Sequence, residues 1–133
     1  MNQITVEIKD QKDIITARQA VRDMARKLGL RLADQTRLAT AISELTRNVI
    51  QYAGNGVCAI RDVSDAHVLR IVAVIEDFGP GILDVEKAMT YGFSTSKGLG
   101  AGLPGSKSLV QEFDIQSKPG NTKVTIVVCR RRV

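Results

Sequence analysis

Asp77-Phe78-Gly79-Pro80-Gly81, followed further along by Gly98-Leu99-Gly100-Ala101-Gly102, is the pair of segments around which the rest of the chain can be read. Seven of the 11 glycines fall between Gly79 and Gly105. Glycine serves where backbone must turn through positive φ or approach a ligand with no Cβ in the way. A helix is expected to open near Leu103-Pro104, with the proline in a first-turn position where its missing N–H is not needed. Amides at Gly100 and Gly102 would then face an anion beside the positive end of that helix. The segment reads as a lid over the phosphates of a nucleotide.

Upstream of it, Ile4, Val6 and Ile8 alternate with Thr5 and Glu7, a period of two that specifies a half-buried strand. Asp13 is expected to cap a helix whose apolar positions Ile14, Ala17, Val21, Met24, Ala25 and Leu28 follow the 3.6-residue period, with Gly29 as its stop. A second helix is expected over Ala33 to Tyr52, with Leu38, Ile42, Leu45 and Val49 as its core stripe. Glu44 and Asn48, spaced i and i+4, lie together at the edge of that stripe. Two readings fit the spacing: a carboxylate and a carboxamide looking into a cleft, or a solvated pair with Arg47 beside it.

Beyond the turn signal Ala53-Gly54-Asn55-Gly56, the runs Val57–Val63 and Val68–Glu76 read as a hairpin around Ser64-Asp65-Ala66-His67. The second run is nearly continuous apolar and suits a central strand covered at least partly on both faces; it leads directly into Asp77. His67, the only histidine, falls at the hairpin turn and is expected to be exposed. A short helix over Asp84–Thr90, a polar lid over Tyr91–Lys97 and a helix from Leu103 to Phe113 follow, the last with Leu109, Val110 and Phe113 inward. Asp114–Lys118 and Thr122–Val128 close the chain as a second hairpin around Pro119-Gly120-Asn121. The order β-α-α-β-β-(α)-lid-α-β-β implies an α+β fold: a two-layer sandwich with a mixed, mostly antiparallel sheet and its helices on one face.

At 133 residues the chain is expected to form a single domain, residues 1–133, burying roughly two-thirds of its unfolded surface. The 44% hydrophobic and 25% charged content is ordinary for a globular protein. Apolar runs such as Ile71–Ile75 fall far short of the about 20 residues of a membrane span, and the first residues show no signal pattern, so a cytoplasmic location is expected. Cys58 and Cys129 are expected to be reduced core thiols. Aromatics at 4% and the lack of a reading module argue against nucleic acid as the reason for the net charge of +5, leaving a solvated basic surface or an acidic protein partner. The terminal Arg130-Arg131-Arg132 is expected to fray.

The element order, together with Glu44-Leu45-Thr46-Arg47-Asn48, Asp77-Phe78-Gly79-Pro80-Gly81 and Gly98-Leu99-Gly100-Ala101-Gly102, resembles the Bergerat (GHKL) ATP-binding fold shared by gyrase, Hsp90, histidine kinases and MutL. Around Tyr91-Gly92-Phe93-Ser94-Thr95-Ser96 and Gly98–Gly105 it is similar to the RsbT-type serine/threonine switch kinases of bacterial stress signalling. The resemblance implies ATP and Mg²⁺ as cofactors, with Asn48 ligating the metal and Glu44 as the base that orients or deprotonates the attacking group. It implies that Asp77 accepts from the adenine amino group, that Gly79 and Gly81 turn beneath the base, and that Thr122 stands near the adenine end. Lys97, Gly98, Gly100, Ala101, Gly102 and Leu103 complete the implied nucleotide-contacting set, the glycines over the phosphates.

The residues themselves suit these roles. Mg²⁺ takes oxygen ligands and completes its octahedron with phosphate and water, so one carboxamide suffices on the protein side. A fixed carboxylate one turn away can reach an acceptor hydroxyl, and an ionised aspartate is acceptor-only, which matches an exocyclic amine; a turn-forming aspartate is the other reading of Asp77. Three positions depart from the family pattern. Lys97 replaces a common glycine, reducing flexibility, adding a phosphate contact or remaining solvated; Gly120-Asn121-Thr122 replaces a Gly-Thr pair; Thr46 replaces a frequent alanine. Ser94, Thr95 and Ser96 either bond phosphate oxygens or only shape the lid.

The resemblance implies a kinase that phosphorylates STAS-domain proteins and, when released, binds and activates a PP2C-type phosphatase. With no separate phosphoacceptor helix in the chain, the acceptor is expected on another protein. The alternative is a binding module that uses ATP only to set its shape, including anti-sigma factors that hold a sigma factor; Glu44 favours catalysis, since pure binding needs no base beside the metal.

Overall fold

A computed structural model describes residues 3–81, 89 and 102–132. In chain order the described elements are β1 (Gln3–Ile8), α1 (Gln11–Leu28), α2 (Leu32–Tyr52), β2 (Gly56–Asp62), β3 (Val68–Asp77), α3 (Gly102–Ser108), β4 (Glu112–Lys118) and β5 (Asn121–Arg131). The strands lie in the order β1-β2-β3-β5-β4, and the mostly antiparallel sheet expected is antiparallel at each of these pairings. The expected short helix at residues 84–90 and the lid at 91–97 lie outside the described residues.

Period decides the layers. In β3 the residues Leu69, Ile71, Ala73 and Ile75 are buried, while Arg70, Val72, Val74 and Glu76 on the other face are only half covered. Val21 and Ala25 of α1 and Leu38, Ile42, Leu45 and Val49 of α2 join the inward residues of the strands in one core cluster, so both helices lie against the same face of the sheet. Burying a large aliphatic side chain of this kind contributes roughly 1.5–3 kcal/mol.

The helix ends show how local rules were resolved. Asp10, in extended conformation, is the N-cap of α1 in place of the expected Asp13: its carboxylate accepts from the Lys12 amide at 3.1 Å. Asp13 occupies the third helical position, and its carboxylate returns to the amides of Lys9 and Asp10 at 2.9 and 3.1 Å, completing a capping box. These amides hold the Asp13 carboxyl below the usual range. At the other end Gly29 adopts φ 89°, and the Leu30 amide reaches back to Ala25.

Three expectations at the C-terminal side are corrected. The helix expected to reach Phe113 ends at Ser108, whose hydroxyl donates to the Gly105 carbonyl at 2.7 Å. The Gln111 amide already donates to Val127, and Phe113 pairs with Ile126 in β4, so strand pairing wins over the apolar spacing. Leu109, Val110 and Phe113 nevertheless pack against the core. Arg130-Arg131-Arg132 does not fray: Arg130 and Arg131 lie in β5, paired with Leu69 and Val68, and Arg132 donates from its amide to His67 and from Nε to the Asp65 carbonyl, both at 2.8 Å. Cys58 is a core thiol, pushed up to about 12 by burial, whereas Cys129 is only half-buried on the sheet face away from the helices. Among the described residues no helix is long and apolar enough to cross a membrane.

Candidate functional site

The β3 strand delivers Asp77 to one end of the sheet, opposite Gly56 of β2 and Thr122 of β5. Gly56 lets α2 settle onto the sheet there. A Cβ on Gly56 would come within 2.8 Å of Val49 Cγ1 and 3.2 Å of Asp77 Cβ, so the turn of α2 that carries Asn48 and Val49 lies over the Asp77 end of β3. One step further, a Cβ on Gly79 would stand 2.6 Å from the Ala53 Cβ at the end of α2. Gly79 therefore permits close packing between this loop and the end of the helix.

Asp77 Oδ1 accepts from the Gly79 amide at 3.0 Å, which closes the turn locally. The turn-forming reading of this aspartate is thus observed, and it leaves Oδ2, for which no partner is seen among the described residues, as a possible acceptor for a ligand donor. Desolvation pushes the Asp77 carboxyl above its usual value; the Gly79 amide opposes this and the neighbouring Glu76 charge adds to it.

Thr122 is buried, its hydroxyl 2.6 Å from that of Ser117. Asn121, to which no role was assigned from sequence, is a structural member of the site: its Nδ2 donates to Glu76 Oε2 at 2.9 Å and to the Asp77 carbonyl at 3.3 Å. The available signal was its insertion between Gly120 and Thr122. Gly81 has φ 85° and abuts the Lys118 carbonyl, where a Cβ would collide.

On α2, Glu44 is half-buried and Arg47 Nη1 donates to its Oε1 at 2.8 Å. This ion pair is the one the solvated reading expects, whereas Asn48 is half-buried and its Oδ1 is buried with no hydrogen-bond partner among the described residues. A buried acceptor left unpaired costs about 1–3 kcal/mol, and a donor or a bound cation would complete it. Among the described residues no group of three His, Cys, Asp or Glu side chains stands ready to hold a metal. Thr46 points into the core, its hydroxyl donating to the Ile42 carbonyl at 2.7 Å, so the replacement of alanine is absorbed by the helix itself.

Gly102 opens α3, with Pro104 in the first turn as expected. The helix packs on α2, and Leu103 rests against the core. Lys97, Gly98, Gly100 and Ala101, with Ser94, Thr95 and Ser96, lie outside the described residues. His67 is exposed at its hairpin turn, remote from this end of the sheet. The geometry thus brings Asn48, Asp77, Gly79, Gly81 and Thr122 to one end of the molecule, with Glu44 one helical turn back from Asn48.

Residues 4–128 match the family described as the histidine kinase-like ATPase domain. The chain belongs to that family. Within it, the chain is 49% identical over 119 residues to the serine/threonine-protein kinase RsbT of Bacillus subtilis, covering 90% of each. Among solved structures of this ATPase type, it is similar to the RsbU and RsbW domains of a Mycobacterium tuberculosis protein, with a TM-score of 0.69 and 19% identity. That match spans 98% of this chain and 33% of the mycobacterial one. The mycobacterial sensor histidine kinase MprB is matched with a TM-score of 0.57 and 19% identity, over 99% of this chain and all of that one. At such identities the structural likeness speaks for the ATPase fold, whereas the RsbT relative places the chain in the serine/threonine kinase branch of the family.

Proposed function

We propose that this chain, as a single domain of residues 1–133, is a cytoplasmic ATP-dependent protein serine/threonine kinase of bacterial partner switching. It transfers the γ-phosphoryl group of ATP to a serine or threonine of a small STAS-domain protein and, once released, binds and activates a PP2C-type phosphatase. The observation that carries the catalytic part is the buried Asn48 Oδ1 without a partner among the described residues, one helical turn from Glu44. The RsbT relative supports the acceptor class.

In this reading Asn48 would hold Mg²⁺, which neutralises charge on the phosphates when bound. Asp77 accepts from the adenine amino group through the oxygen that Gly79 leaves free, Gly79 and Gly81 form the turn beneath the base, and Thr122 borders the adenine end. Gly98, Gly100 and Gly102 cover the phosphates, with Lys97, Ala101 and Leu103 beside them. Glu44 orients the acceptor hydroxyl and takes its proton as the new P–O bond forms and the bond to the β-phosphate oxygen breaks, releasing ADP.

Radiolabelled ATP incubated with the chain and a candidate STAS-domain protein tests this. Label on a serine or threonine of that protein supports the kinase. ATP bound with no label passed to any partner supports instead a binding module or an anti-sigma factor.

A further inference from the structure

We infer that Asn121 is a positioning residue for adenine recognition, clamping the loop that carries Asp77 to the β4–β5 turn. Three contacts across more than 35 residues of sequence join these segments. Asn121 Nδ2 donates to the Asp77 carbonyl at 3.3 Å, the Gly120 amide donates to the Gly79 carbonyl at 2.9 Å, and Gly81 nests on the Lys118 carbonyl with no room for a Cβ. Only the first is made by a side chain, and it is made on the peptide that sets the direction in which Asp77 leaves β3.

The same amide also donates to Glu76 Oε2 at 2.9 Å. One carboxamide thus both holds the Asp77 backbone and engages the neighbouring Glu76 carboxylate. A Gly-Thr pair has no side chain to do either. The extra residue in Gly120-Asn121-Thr122 is therefore a functional addition to the last segment of the site, and it leaves Thr122 still in register with Asp77.

The inference rests on the proposal that Asp77 reads the adenine amine, and it is tested by comparing ATP with ITP, which carries oxygen where adenine carries that amine. Dissociation constants for both are measured on the full chain with Mg²⁺, by competition against a fluorescent nucleotide. Asn121→Ala is expected to weaken ATP about tenfold, the equivalent of one hydrogen bond, while ITP changes by less than about twofold and kcat at saturating ATP is retained. Asn121→Asp, of the same shape, places a third carboxyl oxygen pair against Glu76 and Asp77 and is expected to weaken ATP further. If Asn121→Ala does not fold, Asn121→Ser, with a shorter donor, is judged by the same two outcomes. Unchanged ATP affinity, or equal losses for ATP and ITP, overturns the clamp. Asp77→Asn separates the two levels: ATP binding retained in that variant, with its preference over ITP unaltered, sinks the adenine reading itself, whereas loss of ATP binding there, with the preference intact in Asn121→Ala, sinks only the clamp.

Discussion

Arg130 donates from Nη2 to Asp34 Oδ1 at 2.9 Å and from Nε to the other oxygen of the same carboxylate, joining residues 96 positions apart. The Asp34 side chain is 1% exposed and also lies 3.4 Å from Arg37 Nη1. The pair sits at the end of the sheet away from Asp77, since Arg130 is opposite Leu69 at the start of β3. It ties the first turn of α2 to the last residues of β5. Asp34→Ala is expected to destabilise the chain by about 2–3 kcal/mol, read from the urea midpoint at constant slope, because a bidentate buried contact is lost.

The same contact sets the behaviour in acid. The Arg130 hydrogen bonds, with the charges of Arg130, Arg31 and Arg37, hold the Asp34 carboxyl below its ordinary 3.8 against the opposing effect of burial. A depressed folded value means that the stabilisation is present above the ordinary carboxylate range and is lost as pH falls through the folded value. Equilibrium unfolding between about pH 6 and pH 2 should therefore show a shallower acid loss in Arg130→Gln than in the parent chain. Parallel curves would mean that Asp34 is not held ionised by this partner.

For Asp77 the sign reverses. Burial raises its carboxyl, so its ionised form disfavours the folded state, and that penalty grows as pH rises through the folded value. Asp77→Asn keeps an oxygen for the Gly79 amide and is expected to melt at or above the parent temperature at pH 7. Calorimetry on the same sample should give no heat of association with ATP. A large fall in melting temperature would make Asp77 a structural residue first.

Glu44 and Asn48 should separate cleanly. Glu44→Ala is expected to leave the ATP dissociation constant within about twofold and to slow phosphoryl transfer by about a hundredfold or more. Asn48→Ala is expected to lose the Mg²⁺ dependence of ATP binding with no loss of thermal stability, because its buried Oδ1 has no partner among the described residues to forfeit. Titration of ATP with and without Mg²⁺, alongside thermal melts, checks both.

Two glycines of nearly equal φ provide a control on the packing of the site loop. Gly120, at φ 90°, has open space where a Cβ would go, and Gly81, at φ 85°, has the Lys118 carbonyl there. Gly120→Ala should cost about 1 kcal/mol, the strain of the left-handed region alone, and Gly81→Ala about 2–3 kcal/mol with weakened ATP binding. Equal costs in urea unfolding would show that the loop does not rest on the β4–β5 turn.

Much of this was legible in the residues, because the relevant information is local. The period of Leu38, Ile42, Leu45 and Val49 specifies a buried helix face wherever the helix packs, and the alternation in β3 specifies a strand with one inward side. Expectations failed where two local choices were equally good or where a remote partner decided. Asp10 and Asp13 are both competent caps, and only the backbone conformation at Asp10 separates them. Leu109, Val110 and Phe113 have helical spacing, yet β5 claims Phe113 as a strand residue. Arg130-Arg131-Arg132 has the composition of a loose tail until Asp34, His67 and Asp65 receive it.

The order of residues alone singled out Glu44, Asn48 and Asp77 as the side chains proposed to carry chemistry, and indicated the kind of element on which each stands. Only the tertiary structure decided that Asn48 Oδ1 is shut away from water, that Thr122 lies in register with Asp77, and that Asn121 reaches back 44 positions to the Asp77 carbonyl. The reason is physical: periodicity and turn chemistry act over a few bonds, whereas burial and register depend on which distant segment fills the space, and no spacing within one segment encodes its neighbour.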